Sequence, residues 1–160
     1  MTTTAILHGP PDPFLASALG AAGFTLGDAP PATLLVNLGG GAASAVASAE
    51  RFAENARDGE ALVVSILHAH AREDWPVAQD TAILWEFTRY AALAWAPRRI
   101  RVNAVGLGVS PVLATQPATA SGRAAGPAPA QSATPADVAA TILAMWRFPS
   151  MTGQLIRLGA

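Results

Sequence analysis

Short, continuously apolar segments separated by helix-like segments constrain the fold of this 160-residue chain more than any other feature. The clearest are residues 33–37 and 61–67, in which apolar residues do not alternate with polar ones, and residues 100–105 are expected to form a further strand. Such strands have both faces buried, which is typical of a parallel sheet covered by helices on each side. The sequence therefore predicts a single domain, residues 1–160, folded as a three-layer α/β sandwich with a mostly parallel sheet of about five strands.

Helix signals lie between these segments. Residues 14–22, 42–57 and 76–96 are rich in helix-forming residues, and Thr134 precedes a proline at the first position of a further helix. Residues 3–7 and 154–158 are expected to be the first and last strands. Residues 111–133 are rich in Pro, Ala, Gly and Ser without any period, so we expect a flexible loop there.

Composition excludes several classes of function. The absence of Cys excludes disulfides, thiolate metal sites and cysteine nucleophiles, and a net charge of −1 without a basic block argues against nucleic-acid binding. No apolar run reaches the length of about 18 residues that spans a membrane, and the N-terminus lacks a basic secretory start. A cytoplasmic protein is expected. Hydrophobic residues make up 51% of the chain and charged residues 13%, which predicts that another chain covers part of its surface.

Three ordered segments resemble the short-chain dehydrogenase/reductase family. Residues 87–105 resemble the signature at the end of the family's active-site helix and the following strand. Residues 134–159, with Thr152-Gly153-Gln154, are similar to its closing segment, and residues 34–39 resemble its Leu-Val-Asn-Asn-Ala-Gly motif. The resemblance covers most of residues 33–160. It implies a Rossmann-like fold, which in this family carries NAD(P)-dependent hydride transfer.

The N-terminal part of the chain departs from the family. Residues 27–31 lead directly into the strand that the family numbers fourth, so about two strand-helix units are expected to be missing, leaving the order 1-4-5-6-7 with the first strand at an edge. Residues 8–13 replace the glycine fingerprint and include three prolines, which lack the N–H groups that pyrophosphate needs. Only Gly9 and Asn37 match cofactor-site positions. We expect no cofactor to bind.

The family's catalytic residues are also missing. The resemblance places its Tyr and Lys at Val77 and Thr81, and the chain contains no Lys and a single Tyr, Tyr90, several helical turns too late. Ser65 corresponds to the catalytic serine only as a relic. The resemblance therefore implies a chain that is not an enzyme or, if active, an oxidoreductase-like subunit.

Histidines follow two of the predicted strands. His8 follows the first, and His68 and His70 follow the third, so all are expected at the carboxyl edge where α/β proteins bind ligands. His-x-His on a strand can ligate a metal, but histidines in loops more often cap backbone groups or face solvent, and we predict no metal.

Two further motifs have structural interpretations. Residues 39–41 are three glycines without the Lys and Ser/Thr of a phosphate loop, which predicts close backbone packing. Residues 98–101 contain three arginines, too few for a nucleic-acid surface, and predict a solvated strand start.

The long helix predicted at 76–96 is apolar on two sides. At about 100° per residue, one stripe is expected to pack on the sheet: Ile83, Phe87, Tyr90 and Ala94. The residues off that stripe are expected to form a subunit interface, unless the loop at 111–133 covers them: Trp85, Arg89, Ala92 and Trp95. In the family, the helices that resemble 42–57 and 78–96 pair with their symmetry mates in a four-helix interface.

These observations favour a non-catalytic, short-chain dehydrogenase-like subunit or scaffold that oligomerises with itself or with a full-length catalytic homologue. One alternative is a small-molecule-binding protein or nucleotide-independent enzyme that uses a carboxyl-edge pocket around His8, Ser65, His68 and His70. A second alternative is an NAD(P)-dependent reductase subunit completed by a partner chain.

Overall fold

The sheet has six strands, all parallel to their neighbours. The computed structural model describes residues 3–28, 32–57, 59, 61–68, 75–108 and 133–159. The strands within these ranges are β1 (Thr3–His8), β2 (Phe24–Leu26), β3 (Leu34–Asn37), β4 (Leu62–His68), β5 (Arg101–Leu107) and β6 (Leu155–Leu158). Their spatial order is β2-β1-β3-β4-β5-β6. The chain therefore has the predicted α/β, Rossmann-like fold.

Four α-helices cover the two faces of the sheet in the described part of the chain. They are α1 (Pro13–Ala21), α2 (Ala42–Asn55), α3 (Trp75–Ala94) and α4 (Pro135–Arg147). Helices α1 and α4 pack together on one face, and α2 and α3 on the other. None of the described helices is both long and apolar enough to cross a membrane.

The central strands are buried on both faces, as their apolar runs predict. Leu34, Val36 and Val64 contact the α1–α4 layer, whereas the alternate residues Leu35 and Val63 face α2 and α3. All five are at most 1% exposed. Successive residues of a strand point to opposite faces, so only a sheet sandwiched between helices accepts apolar residues at every position.

Strand β2 changes the position of β1 from the one predicted. Thr3 and Ala5 of β1 pair with Phe24 and Leu26 of β2, so β1 is interior and the prediction of a first strand at the edge is wrong. In the strand order typical of this fold, the neighbour on that side of the first strand is the second, and β2 takes its place. Compared with that typical order, the part missing from this chain is therefore smaller than two complete strand-helix units.

The start of α4 agrees with its sequence signal. The Thr134 hydroxyl accepts a hydrogen bond from the N–H of Asp137, and the Asp137 carboxylate accepts from the N–H and the hydroxyl of Thr134. This reciprocal arrangement is a capping box. The hydrogen bonds from Thr134, chiefly from its side chain, lower the pKa of Asp137.

Two arginines of the cluster that was predicted to be solvated instead cap the C-terminal ends of helices. Arg98 donates to the carbonyls of Ala53 and Ala56 at the end of α2, at 2.8 and 2.9 Å. Arg101 donates to three carbonyls at the end of α4 and lies 5.5 Å from the centre of the Trp146 ring. The free carbonyls of a helix C-terminus favour cations, so the prediction of a solvated strand start is wrong at these two positions. Only Arg99 is exposed.

The segment predicted to be a flexible loop, residues 111–133, lies outside the described residues except for Ala133.

Replacing Arg101 by Met should lower the free energy of unfolding by about 2 to 3 kcal/mol, because charge-assisted hydrogen bonds to the end of α4 are lost. Burial lowers the pKa of the Arg101 guanidinium, which is consistent with a side chain partly removed from water. Urea denaturation would measure the change.

The matched control is Arg99→Met, at an exposed arginine two residues before Arg101. It should change the free energy of unfolding by less than about 0.5 kcal/mol. Equal effects of the two substitutions would contradict the capping role of Arg101.

Candidate functional site

Polar side chains form a row across three strands near the carboxyl edge of the sheet. His8 of β1 pairs in register with Asn37 of β3, and Asn37 pairs with Ser65 of β4. Residues paired in register point to the same face of a parallel sheet. For this row it is the face covered by α2, because the Asn37 side chain donates to the carbonyl of Ala45 in that helix, at 3.3 Å.

Ser65 is inaccessible at its place in this row. The residue is 0% exposed and lies three positions before the end of β4, between Asn37 and Ala104 of the neighbouring strands. Its hydroxyl has no hydrogen-bond partner, and neither does the side-chain oxygen of Asn37. Ser65 therefore presents no solvent-exposed atom to the predicted carboxyl-edge pocket in the described structure.

His8 is the one member of the row that contacts an exposed polar side chain. Its Nε2 atom lies 3.1 Å from Oγ of Ser44, which is exposed in the first turn of α2. No sequence pattern points to Ser44, because it lies 36 positions after His8 and the pairing of β1 with β3 brings the two together.

The other two histidines considered as metal ligands, His68 and His70, lie largely outside the described residues. The backbone of His68 ends β4, but its side chain and all of His70 lie outside the described residues. Within the described ranges, no three His, Cys, Asp or Glu residues gather where they could hold a metal ion.

In the turn between β1 and α1, a side chain of the turn itself caps the start of the helix. The Asp12 carboxylate accepts hydrogen bonds from the N–H groups of Phe14 and Leu15, at 3.0 and 2.9 Å, and Pro13 occupies the first helical position without an N–H. Gly9 has a φ of +122°, and a Cβ there would lie 2.9 Å from the carbonyl oxygen of Gly39. The turn after β1 therefore packs directly against the turn after β3.

This arrangement does not fit the pyrophosphate of a dinucleotide. The family binds that group at free N–H groups where the first helix begins, and anions are stabilised there by the helix dipole. Here the Asp12 carboxylate already occupies the N–H groups of Phe14 and Leu15. A second anion at the same helix start would meet its negative charge.

The helix that carries the family's catalytic pair offers no replacement for it. The position that the resemblance gives to the Lys is Thr81, half-buried on α3, and the position of the Tyr is Val77, whose side chain lies outside the described ones. Neither residue type supplies a phenol or an amine.

The side of α3 that faces the sheet is not the predicted one. The residues that face the sheet are Leu84, Thr88, Ala91 and Ala92, each at most 6% exposed. The predicted core stripe is largely exposed, with Ile83 at 45% and Tyr90 at 71%. Three of these residues, Thr88, Ala91 and Ala92, are small, and small side chains allow the helix to approach the strands closely.

The predicted interface residues consequently have different environments. Ala92 is buried and unavailable for contact, Trp85 packs against a core cluster with Leu84 and Val46, and Trp95 packs edge to face on Phe87 at 5.8 Å. Of the four predicted interface residues, only Arg89 is exposed; its nearest ionic partner is Glu86 at 3.3 Å.

An apolar surface nevertheless remains on α3, beside α2. Leu93 is 80% exposed and lies on the outer side of the helix with Ile83 and Tyr90. A groove of about 390 Å³ separates this side from α2 and is lined by aromatic and charged residues, among them Glu50, Glu54, Phe87, Tyr90 and Trp95. We call Ile83, Tyr90, Leu93 and this groove the α2–α3 surface.

Comparisons with known proteins agree with this architecture. Residues 31–158 match the family model described as enoyl-(acyl carrier protein) reductase. A short-chain dehydrogenase/reductase from Serratia marcescens aligns over 98% of this chain and 95% of its own, with a TM-score of 0.71 and 16% identity. A short-chain dehydrogenase/reductase family oxidoreductase from Brucella ovis, in complex with a partially ordered NAD, aligns over 99% and 100%, with a TM-score of 0.62 and 15% identity.

A small-chain dehydrogenase in complex with NADPH gives similar values: 98% of this chain, 96% of its own, a TM-score of 0.67 and 15% identity. At these identities the structural matches establish the fold alone. A comparison with curated protein sequences found no match.

The isolated protein should bind neither NAD(H) nor NADP(H), because the start of α1 already holds the Asp12 carboxylate. Titration calorimetry should give no saturable heat, which corresponds to a dissociation constant weaker than about 1 mM. Saturable binding in the micromolar range would contradict the closed turn.

Proposed function

The chain belongs to the short-chain dehydrogenase/reductase family, and on that basis we propose that it is a non-catalytic member, unable to carry out the family's hydride transfer, that assembles with a second chain of this fold. The observation that carries the proposal is the exposed α2–α3 surface, together with the closed turn at the start of α1. The partner is a second copy of this chain or a full-length catalytic homologue.

Loss of catalysis is supported by the residues at the family's working positions. Proton transfer in the family needs a Tyr whose pKa is lowered by a Lys, and this chain has no Lys anywhere. Thr81 stands where that Lys is expected, and Ser65 is completely buried. The Asp12 carboxylate adds a negative charge where the family places a phosphate.

Assembly is supported by the apolar side chains that α3 leaves in water. Full burial of a large aliphatic or aromatic side chain contributes about 1.5 to 3 kcal/mol, and Leu93 and Tyr90 are 80% and 71% exposed. A two-fold axis would duplicate each contact, so a modest surface suffices for a stable dimer. In the family, the equivalents of α2 and α3 pair with their symmetry mates.

The reductase completed by a partner is the weaker alternative. A partner would have to supply both the Tyr and the Lys, and it would not remove the Asp12 carboxylate from the start of α1. The carboxyl-edge alternative has one observation in its favour, the contact between His8 and Ser44.

Replacing Leu93 by Glu should dissociate the assembly and leave the fold intact, because the side chain is 80% exposed in the subunit and its burial is expected only between subunits. Light scattering coupled to size-exclusion chromatography at tens of micromolar would measure the mass, with and without a full-length homologue present.

The matched control is Phe148→Glu, at a residue 58% exposed beyond the end of α4. It should leave the mass unchanged. A wild-type chain that stays monomeric alone and with the homologue, or equal dissociation by both substitutions, would remove the basis for the scaffold proposal. Trp85→Glu is unsuitable as a probe because Trp85 packs on the core.

A further inference from the structure

The contact between His8 and Ser44 places an imidazole directly against a hydroxyl. Oγ of Ser44 and Nε2 of His8 are 3.1 Å apart, within the range in which a base takes the proton of a nucleophile. Ser44 is exposed and His8 half-buried, so a molecule in solvent can reach the hydroxyl. This distinguishes Ser44 from Ser65, which is completely buried.

The start of α2 adds backbone donors beside this hydroxyl. Gly41 precedes the helix and has no side chain to cap it, and the first bond within the helix runs from the N–H of Ala45 to the carbonyl of Gly41. Among the described residues, the N–H groups of Ala43 and Ser44 donate no hydrogen bond to a side chain or to another turn. The starts of α1 and α4, in contrast, are capped by Asp12 and Thr134.

We propose that Ser44 and His8 form a nucleophile and general-base pair that accepts acyl groups from uncharged esters. Oγ of Ser44 attacks the ester carbonyl carbon while Nε2 of His8, in the tautomer with its proton on Nδ1, takes the hydroxyl proton. The C–O bond to the alcohol then breaks, and His8 gives that proton to the departing alkoxide. Water, deprotonated by His8, releases the acid and restores Ser44.

The N–H groups at the start of α2 stabilise the negative oxygen that develops on the ester carbonyl. Preorganised backbone donors at a helix start are suited to this role, as in oxyanion holes. The charge of the substrate is limited by Asp80 of α3, whose carboxylate lies 4.0 Å from the position that a Cβ on Gly41 would take. That carboxylate disfavours a fully anionic substrate, so the proposal is confined to uncharged esters. It also opposes the negative oxygen that develops during attack, and the N–H groups of Ala43 and Ser44 have to offset this repulsion.

This activity is independent of the proposed scaffold role. The pair lies at the carboxyl ends of β1 and β3 and uses no residue of the α2–α3 surface. A failure of the experiment below leaves the assembly proposal untouched, and a monomeric protein leaves the acylation proposal untouched.

Intact-protein mass spectrometry after treatment with p-nitrophenyl acetate, and separately with a fluorophosphonate, tests the proposal. We expect one stable fluorophosphonate adduct per chain, which peptide mapping assigns to Ser44, and release of p-nitrophenol from p-nitrophenyl acetate as the acetyl group is passed on to water. Ser44→Ala should abolish this adduct, and His8→Gln should slow its formation by about 100-fold or more, the usual contribution of a general base. Circular dichroism of each variant establishes that it folds.

The matched control is Ser48→Ala, one helical turn further along α2, which should leave labelling unchanged. An adduct that persists in folded Ser44→Ala, an equal rate in folded His8→Gln, or no adduct on the wild-type chain would each overturn the proposal. If a variant fails to fold, labelling of the wild-type chain still decides between Ser44 and other residues.

Discussion

The structure depends on burial of the central strands from both sides. Leu34, Leu35, Val63 and Val64 are at most 1% exposed, although successive residues face opposite helical layers. Parallel strands present no polar face to water, so the sheet exists only while helices cover both of its surfaces. The same constraint brings all strand ends to one edge, and that is how His8 and Asn37, far apart in sequence, become neighbours.

Charged side chains form hydrogen bonds with the free backbone groups at several ends of the helices that cover the sheet. Asp12 accepts from the first N–H groups of α1, while Arg98 and Arg101 donate to the last carbonyls of α2 and α4. Each places a charge of the sign that the helix dipole favours at that end. The start of α2 has no side-chain cap, since glycine precedes it, and its exposed first turn contacts a histidine.

The sequence allowed the architecture to be predicted because apolar runs and caps are local signals. It did not reveal β2, because a strand of three residues, Phe24–Leu26, is too short to show a period. The prediction of which side of α3 faces the sheet was also wrong. Periodicity takes account of hydrophobicity but not of side-chain size, and the small residues Thr88 and Ala91 face the sheet while Tyr90 is exposed. The contact with Ser44 depends on strand register, which no local pattern encodes.

The Asp12 cap stabilises the start of α1 without any bound ligand. A protein that binds a cofactor only when folded gains stability as the ligand concentration rises above its dissociation constant, about 2.7 kcal/mol at a hundredfold excess. A carboxylate joined covalently to the helix it caps is always present at that helix, so its contribution cannot be diluted away.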